Sequence, residues 1–129
     1  MIMALTFKVD IDKNFSEQIL KKFLSSSEIA EIVEQAGEVG YNYIYNEIPY
    51  KTGQGRSHFI ITPARIYPNQ TWISLKFDGS IEDFGHLIFL NYCPASEHFH
   101  WFENASRQAK KLIKKELTRL AIAKIKSKN

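Results

Sequence analysis

Cys93, His98 and His100 come nearest to metal-ligand spacing in this chain of 129 residues. A structural zinc site closes with four nitrogen or sulfur ligands in a tetrahedron. Cys93 is the only cysteine, so His58 and His86 would have to arrive from elsewhere. On a single helix His98 and His100 would also point about 200° apart. The pattern favours a packed cysteine and surface or interface histidines, and no metal or other cofactor is expected. Gly53-Gln54-Gly55-Arg56-Ser57 has the composition of a phosphate-binding loop. Such a loop follows a strand and opens a helix, whose N–H groups meet the anion. Here a helical pattern precedes the glycines and a strand pattern follows, so the polarity is reversed. Glu82-Asp83 pairs two carboxylates, but immediate neighbours rarely converge on one substrate atom. Ser57-His58 lacks an orienting acid. No pattern places an acid, a base and a nucleophile together, and the chain reads as non-enzymatic.

The other chemistry on offer is electrostatic. Eight cations lie between Lys110 and Lys128 with only Glu116 against them. The formal net charge is +3, so the rest of the chain is net acidic. Lys110 and Lys114 share a helical face, as do Lys111 and Lys115, and both pairs lie off the apolar stripe. One reading is a solvated face, with cations favoured near a helix C-terminus. The other is contact with an acidic partner subunit or with DNA. No aromatic residues are interleaved with these lysines, which weakens the case for single-stranded nucleic acid.

Alternation of Leu5, Phe7, Val9 and Ile11 with polar residues predicts a half-buried first strand. Asn14 with Glu17 resembles a capping box, and Phe15, Ile19 and Phe23 share a helical face. Ser25-Ser26-Ser27 before Glu28 offers a second N-cap. A longer helix is expected from Glu28 to Asn46, with Ile29, Ile32, Val33, Ala36, Val39 and Tyr43 on one stripe. Gly37 and Gly40 interrupt it, either as points of close approach or as local weakness. Pro49 disfavours helix at Ile48 and ends the element. Ser57 to Ile66 is rich in strand formers but contains Pro63, which marks an edge or a kink. Thr71 to Phe77 is the clearest strand: Ile73, Leu75 and Phe77 face one side, Trp72, Ser74 and Lys76 the other. Phe84 to Tyr92 is a short apolar run whose periodicity fits a strand or a helical turn. After the link Cys93-Pro94-Ala95-Ser96, a last helix is expected from about Ser96 or Glu97 to Lys124. Phe99, Phe102, Ala105, Ala109, Ile113 and Leu117 would form its apolar face, and residues 125–129 would fray. Trp72 and Trp101 fit the core faces least well. Each reads either as a packed residue or as an aromatic anchor at an interface.

Composition bounds the class. Apolar residues make up 44% of the chain, enough for a folded domain with a real core. A single α+β domain over residues 1–129 is expected. It would have an antiparallel sheet of three or four strands, covered by the helix before Pro49 and the helix after Ser96. A lone cysteine permits a reducing compartment. The first residues lack the basic region and apolar run of a secretory signal, and no run reaches membrane-spanning length. Contact with a membrane is therefore not expected.

One family shares this succession of features. Pro49-x-x-Thr52-Gly53 ends a long helix, and the hairpin strand Trp72 to Phe77 follows. Then come Phe89-Leu90-Asn91-Tyr92 and finally Phe99 to Phe102 with Glu103-Asn104-Ala105. In these features the chain resembles the small tail-completion, or head–tail joining, proteins of long-tailed bacteriophages, described as minor tail components. The resemblance covers about Ile29 to Leu120. Gly55 stands where those proteins usually carry a large apolar residue, and Cys93 where they carry glycine.

The resemblance implies a virion assembly protein at the neck or tail end, made in the host cytoplasm and acting as a ring subunit. Its partners would be copies of itself, neighbouring neck or tail proteins, and DNA passing through the ring. The contact candidates are Pro49, Thr52, Gly53, Arg56, Trp72 and Trp101. The alternative is a cytoplasmic nucleic-acid-binding module that uses the basic face of Lys110, Lys111, Lys114 and Lys115.

Overall fold

The computed structural model describes residues 4–10, 22–49, 54–67, 70–78 and 81–128, with backbone alone for 4–10, 54–55, 67, 70 and 81–84. The expected cap at Asn14, and Thr52 and Gly53 of the loop, lie outside the described residues. The elements run β1 (Ala4–Asp10), α1 (Ser26–Glu47), α2 (Gln54–Ser57), β2 (Phe59–Ile61), β3 (Arg65–Tyr67), β4 (Gln70–Phe77), α3 (Ile81–Tyr92) and α4 (Trp101–Ser127). This is the expected α+β class.

β4 is the centre of the sheet. β1 pairs with it antiparallel along one side, Ala4 opposite Lys76 and Asp10 opposite Gln70. β2 and β3 pair with its other side, also antiparallel. They are two halves of one strand, broken at Pro63. Ile61 stands opposite Leu75, whereas Arg65 stands opposite Trp72. The register thus slips by one residue, and Pro63 and Ala64 together face Ile73. This is a β-bulge, and Pro63 fits it because proline has no ladder donor to lose. Thr62 and Glu34 hold the chain on either side of the break. The Thr62 N–H donates to the Ser74 carbonyl at 2.9 Å. The Thr62 hydroxyl accepts from the Ser74 N–H at 3.1 Å. The Ala64 N–H, turned out of the ladder, donates to Glu34 Oε1 of α1 at 3.0 Å.

α1 starts where the serines predict. Ser25 is the N-cap, its hydroxyl accepting from the Glu28 N–H, and the Glu28 carboxylate accepts from the Ser25 N–H. This reciprocal box satisfies two helix-end donors. α1 ends at Glu47 with extended backbone at Ile48, as the proline requires. Its buried stripe includes Ile29, Ile32, Val33, Ala36, Gly37, Gly40 and Ile44. The two glycines serve close approach. A Cβ at Gly37 would collide with Ile73 Cδ1 of β4 and stand 3.2 Å from Ile61 Cδ1 of β2. One at Gly40 would lie 2.5 Å from Ile113 Cδ1 of α4. α1 therefore packs on the sheet through one glycine and on α4 through the other.

The run before Cys93 is helical, as α3. α4 begins at Trp101, later than expected, and continues to Ser127 rather than fraying at residue 125. Lys128 holds that end down: its ammonium pairs with Glu28 Oε1 at 2.6 Å and donates to the Phe23 carbonyl at 3.2 Å. Val33, Ala36, Ile44, Phe59, Leu75, Ala109 and Ile113 form the centre of the core.

Candidate interaction surface

The junction between α3 and α4 is organised by Asn91, which is completely buried. Its Oδ1 accepts from the Phe102 N–H at 2.8 Å, its Nδ2 donates to Glu103 Oε1 at 3.0 Å, and its carbonyl accepts from the His100 N–H at 2.8 Å. The N-cap residue His100 makes no capping bond of its own and holds a left-handed backbone, φ 60°. Asn91 thus caps α4 from another helix. This arrangement delays the helix to Trp101 and turns the preceding residues outward.

That turn overturns two expectations. Trp101, read as an interface candidate, is core: it is 7% exposed, and its indole N–H donates to the Leu87 carbonyl at 3.1 Å. Its ring meets Phe77 edge-on at 6.3 Å and Phe102 at 5.6 Å. Phe99, read as core, lies before the helix and is exposed, its ring 3.7 Å from that of His100. Phe89, at 61%, and Tyr92 are exposed on α3. Phe89 borders an apolar hollow of about 250 Å³ lined also by Leu90, Cys93 and Ala95. A larger open groove, about 420 Å³, separates the end of α1 from the start of α4. Tyr43, Glu47, His98, Phe99, Asn104 and Arg107 line it, mixing both charges with aromatic surface.

Arg56 is placed by α2 over the Tyr45 ring, 5.2 Å from its centre. Such cation–π contacts are worth about 0.5–1 kcal/mol near a surface. From there aromatic contacts run inward, Tyr45 to Tyr41 at 5.9 Å, Tyr41 to Phe59 at 4.9 Å and Phe59 to Phe77 at 5.0 Å. Burial raises the pKa of Tyr41, with Tyr45 adding to the effect. The Tyr41 hydroxyl donates to the Phe59 carbonyl at 2.8 Å. Pro49 is half-buried, two residues beyond the end of α1. Trp72 is half-buried on the face of β4 opposite to Ile73, across from Lys8 in register. The candidates Pro49, Arg56 and Trp72 therefore keep surface, and Trp101 does not.

Lys110, Lys111, Lys114 and Lys115 are all exposed on α4, opposite its buried stripe of Ala105, Ala109, Ile113 and Leu117. Among the described residues none of the four has an ion-pair partner. α1 is the counterpart: it contains no lysine or arginine, and Glu31, Glu34 and Glu38 lie exposed on it, the last two beside the β2–β3 bulge. The expectations drawn from the sequence passed over these glutamates, although their spacing of three and four with no cation between them marks them. The exposed aromatics carry no such mark, because neither the form of α3 nor the start of α4 is locally encoded.

Among the described residues no three His, Cys, Asp or Glu side chains are grouped to hold a metal ion. No helix among them is long and apolar enough to cross a membrane. Comparison with known protein families, with curated proteins and with solved structures finds no match to this chain.

Proposed function

We propose that this chain is a non-enzymatic bacteriophage virion assembly protein, a ring subunit at the head–tail neck or the tail end. The observation that carries the reading is the order of elements around Pro49. A long helix stops at Glu47, Pro49 follows, and the hairpin, a short helix and a long basic helix succeed it. The sequence resembles the tail-completion and head–tail joining proteins in the order long helix, proline break, hairpin, aromatic segment and closing helix. Surface properties add support. Phe89, Tyr92 and Phe99 expose aromatic area at the α3–α4 junction, and aromatic side chains of this kind anchor subunit contacts. The partners on this reading are copies of the chain and neighbouring neck or tail proteins, and the final location is the virion.

The test is an early stop codon in this reading frame in the source phage or prophage, with lysates examined by negative-stain electron microscopy. Separate filled heads and tails, or tails of uncontrolled length, are the expected result. Intact infectious particles would exclude the assembly role.

A second reading, a DNA-binding module, is favoured by the exposure of Lys110, Lys111, Lys114 and Lys115. It expects affinity for duplex DNA that falls steeply with salt. Weak binding with a flat salt response would exclude it.

A further inference from the structure

α1 and α4 pack against each other through small residues, with Gly40 of α1 meeting Ile113 and Ala109 of α4. Few of their charges are paired across that contact. Among the described residues only the Lys128–Glu28 pair joins the end of α4 to α1, and Arg119 pairs with Glu116 inside α4. The exposed side of each helix lies opposite its buried stripe. Glu34 and Glu38 lie exposed beside the β2–β3 bulge, Glu31 lies exposed at the rim of the groove between α1 and α4, and Lys111, Lys114 and Lys115 lie exposed on the side of α4 opposite its buried stripe. A subunit built this way carries an acidic helix face on one side and a basic helix face on the other.

We infer that the basic outer face of α4 docks on the acidic outer face of α1 in a second copy of the chain. This rests on the ring-subunit reading above and names the contact that would build the ring. Complementary charge selects the occupant. Glu31, Glu34 and Glu38 are spaced by three and four residues over about two turns, and Lys114 and Lys115 stand three and four residues from Lys111, over about one turn. Two helices laid side by side can therefore bring a basic face against an acidic one. The two faces differ, so the contact is heterologous. Repeated in one sense, it generates a ring when the rotation closes and a filament when it does not. Ile122, exposed beyond the lysines on the same side of α4, adds apolar area to the contact. Exposed charge pairs are weak one at a time and screened by salt, so the association is expected to depend on ionic strength.

The experiment is a charge swap in the full chain, read by sedimentation velocity. One variant carries Lys111→Glu, Lys114→Glu and Lys115→Glu, which makes both faces acidic. The other carries Glu31→Lys and Glu38→Lys, which makes both faces basic and leaves the Glu34–Ala64 bond intact. Circular dichroism first establishes that both variants fold. The native chain is expected to oligomerise at low salt and dissociate at high salt. Each variant alone is expected to be monomeric, and their equimolar mixture to associate again. A native chain that stays monomeric at low salt, or a mixture that stays monomeric, overturns the inference. Loss of duplex-DNA binding in the lysine variant, from a native chain that remains monomeric, overturns it in favour of the nucleic-acid reading. The phage experiment reads the other claim separately. Failed particles with a negative swap leave the assembly role without this contact, and intact particles with a positive swap leave the contact without that role.

Discussion

Asn91 on α3 caps α4: its Oδ1 accepts the Phe102 N–H at 2.8 Å, in a site closed to solvent. Helix N-termini leave backbone donors unsatisfied, and the residue that satisfies them is normally the adjacent cap. Here the cap comes from a neighbouring helix, so a local helix-end interaction holds two elements together. Asn91→Ala would strand the buried Phe102 N–H and one Glu103 oxygen. The expected loss is about 1–3 kcal/mol, because losing this cap leaves a buried donor unsatisfied. Asn91→Asp keeps the acceptor but sets a carboxylate against Glu103 in place of a donor. It should be strongly destabilising at neutral pH and partly recover on acidification, which lets one proton settle between the two carboxyls. Urea unfolding of both variants at two pH values measures this. Equal stability of native protein and Asn91→Ala would contradict it.

The Asn91–Phe102 bond also separates what sequence reading reached from what it missed. α1 was legible because each of its determinants is local: the Ser25–Glu28 box, a stripe at period 3.6 and Pro49 as a stop. β4 was legible for the same reason, since Ile73, Leu75 and Phe77 alternate with Trp72, Ser74 and Lys76. The break at Pro63 was legible as an edge or kink, but its form was not, because Thr62 and Glu34 complete the bulge from outside the proline. The start of α4 depends on a side chain from another helix. No spacing within Ser96–Trp101 encodes that, so Phe99 and Trp101 exchanged places between core and surface. Of the contact candidates, Pro49, Arg56 and Trp72 remain at the surface, while the best exposed aromatic, Phe89, sits in the run whose form was undecided.

Glu28 ties acid stability to the two ends of the α1–α4 pair. The Lys128 ammonium bonded to it, followed by the Ser25 N–H, lowers its pKa from the ordinary 4.5 to about 2. A lowered folded-state pKa means that the unfolded chain binds the proton more readily. The contribution of Glu28 is therefore complete above about pH 4.5 and is lost as pH falls through about 2. The melting-temperature gap between native protein and Glu28→Gln should be widest near neutral pH, narrow below about pH 4.5, and close near pH 2. It should also shrink in high salt, because the pair lies near the surface. A gap that does not change with pH would assign the effect to packing.

Gly37 and Ile73 predict a compensating pair. A methyl at Gly37 gains helix propensity of about 1 kcal/mol but collides with Ile73 Cδ1 in a filled core, where overpacking costs about 1–3 kcal/mol. Ile73→Val removes that δ-methyl and leaves Cγ1 at 3.5 Å, an ordinary contact distance. Alone it should cost about 0.5–1.5 kcal/mol. The double variant should be more stable than the sum of the two single changes predicts, by about 1 kcal/mol or more. Strict additivity in denaturant unfolding would mean that the helix moves away from the sheet instead.

Trp101 and Phe89 should respond oppositely, because one aromatic is buried and the other is not. Trp101→Phe deletes the indole N–H that bonds the Leu87 carbonyl, and it leaves space beside Phe77. A loss of about 1–3 kcal/mol is expected, and Trp101→Ala should cost about 3–5 kcal/mol. Phe89→Ser removes a ring that is 61% exposed, so the change in stability should stay within about 0.5 kcal/mol. If the α3–α4 junction is a subunit contact, Phe89→Ser should nevertheless block particle assembly when introduced into the source phage, with the variant chain still folded in the lysate. Trp101→Phe should reduce assembly only as far as it reduces the amount of folded chain. Assembly at native level with Phe89→Ser would remove the aromatic patch from the contact and leave the charged faces of α1 and α4 to carry it.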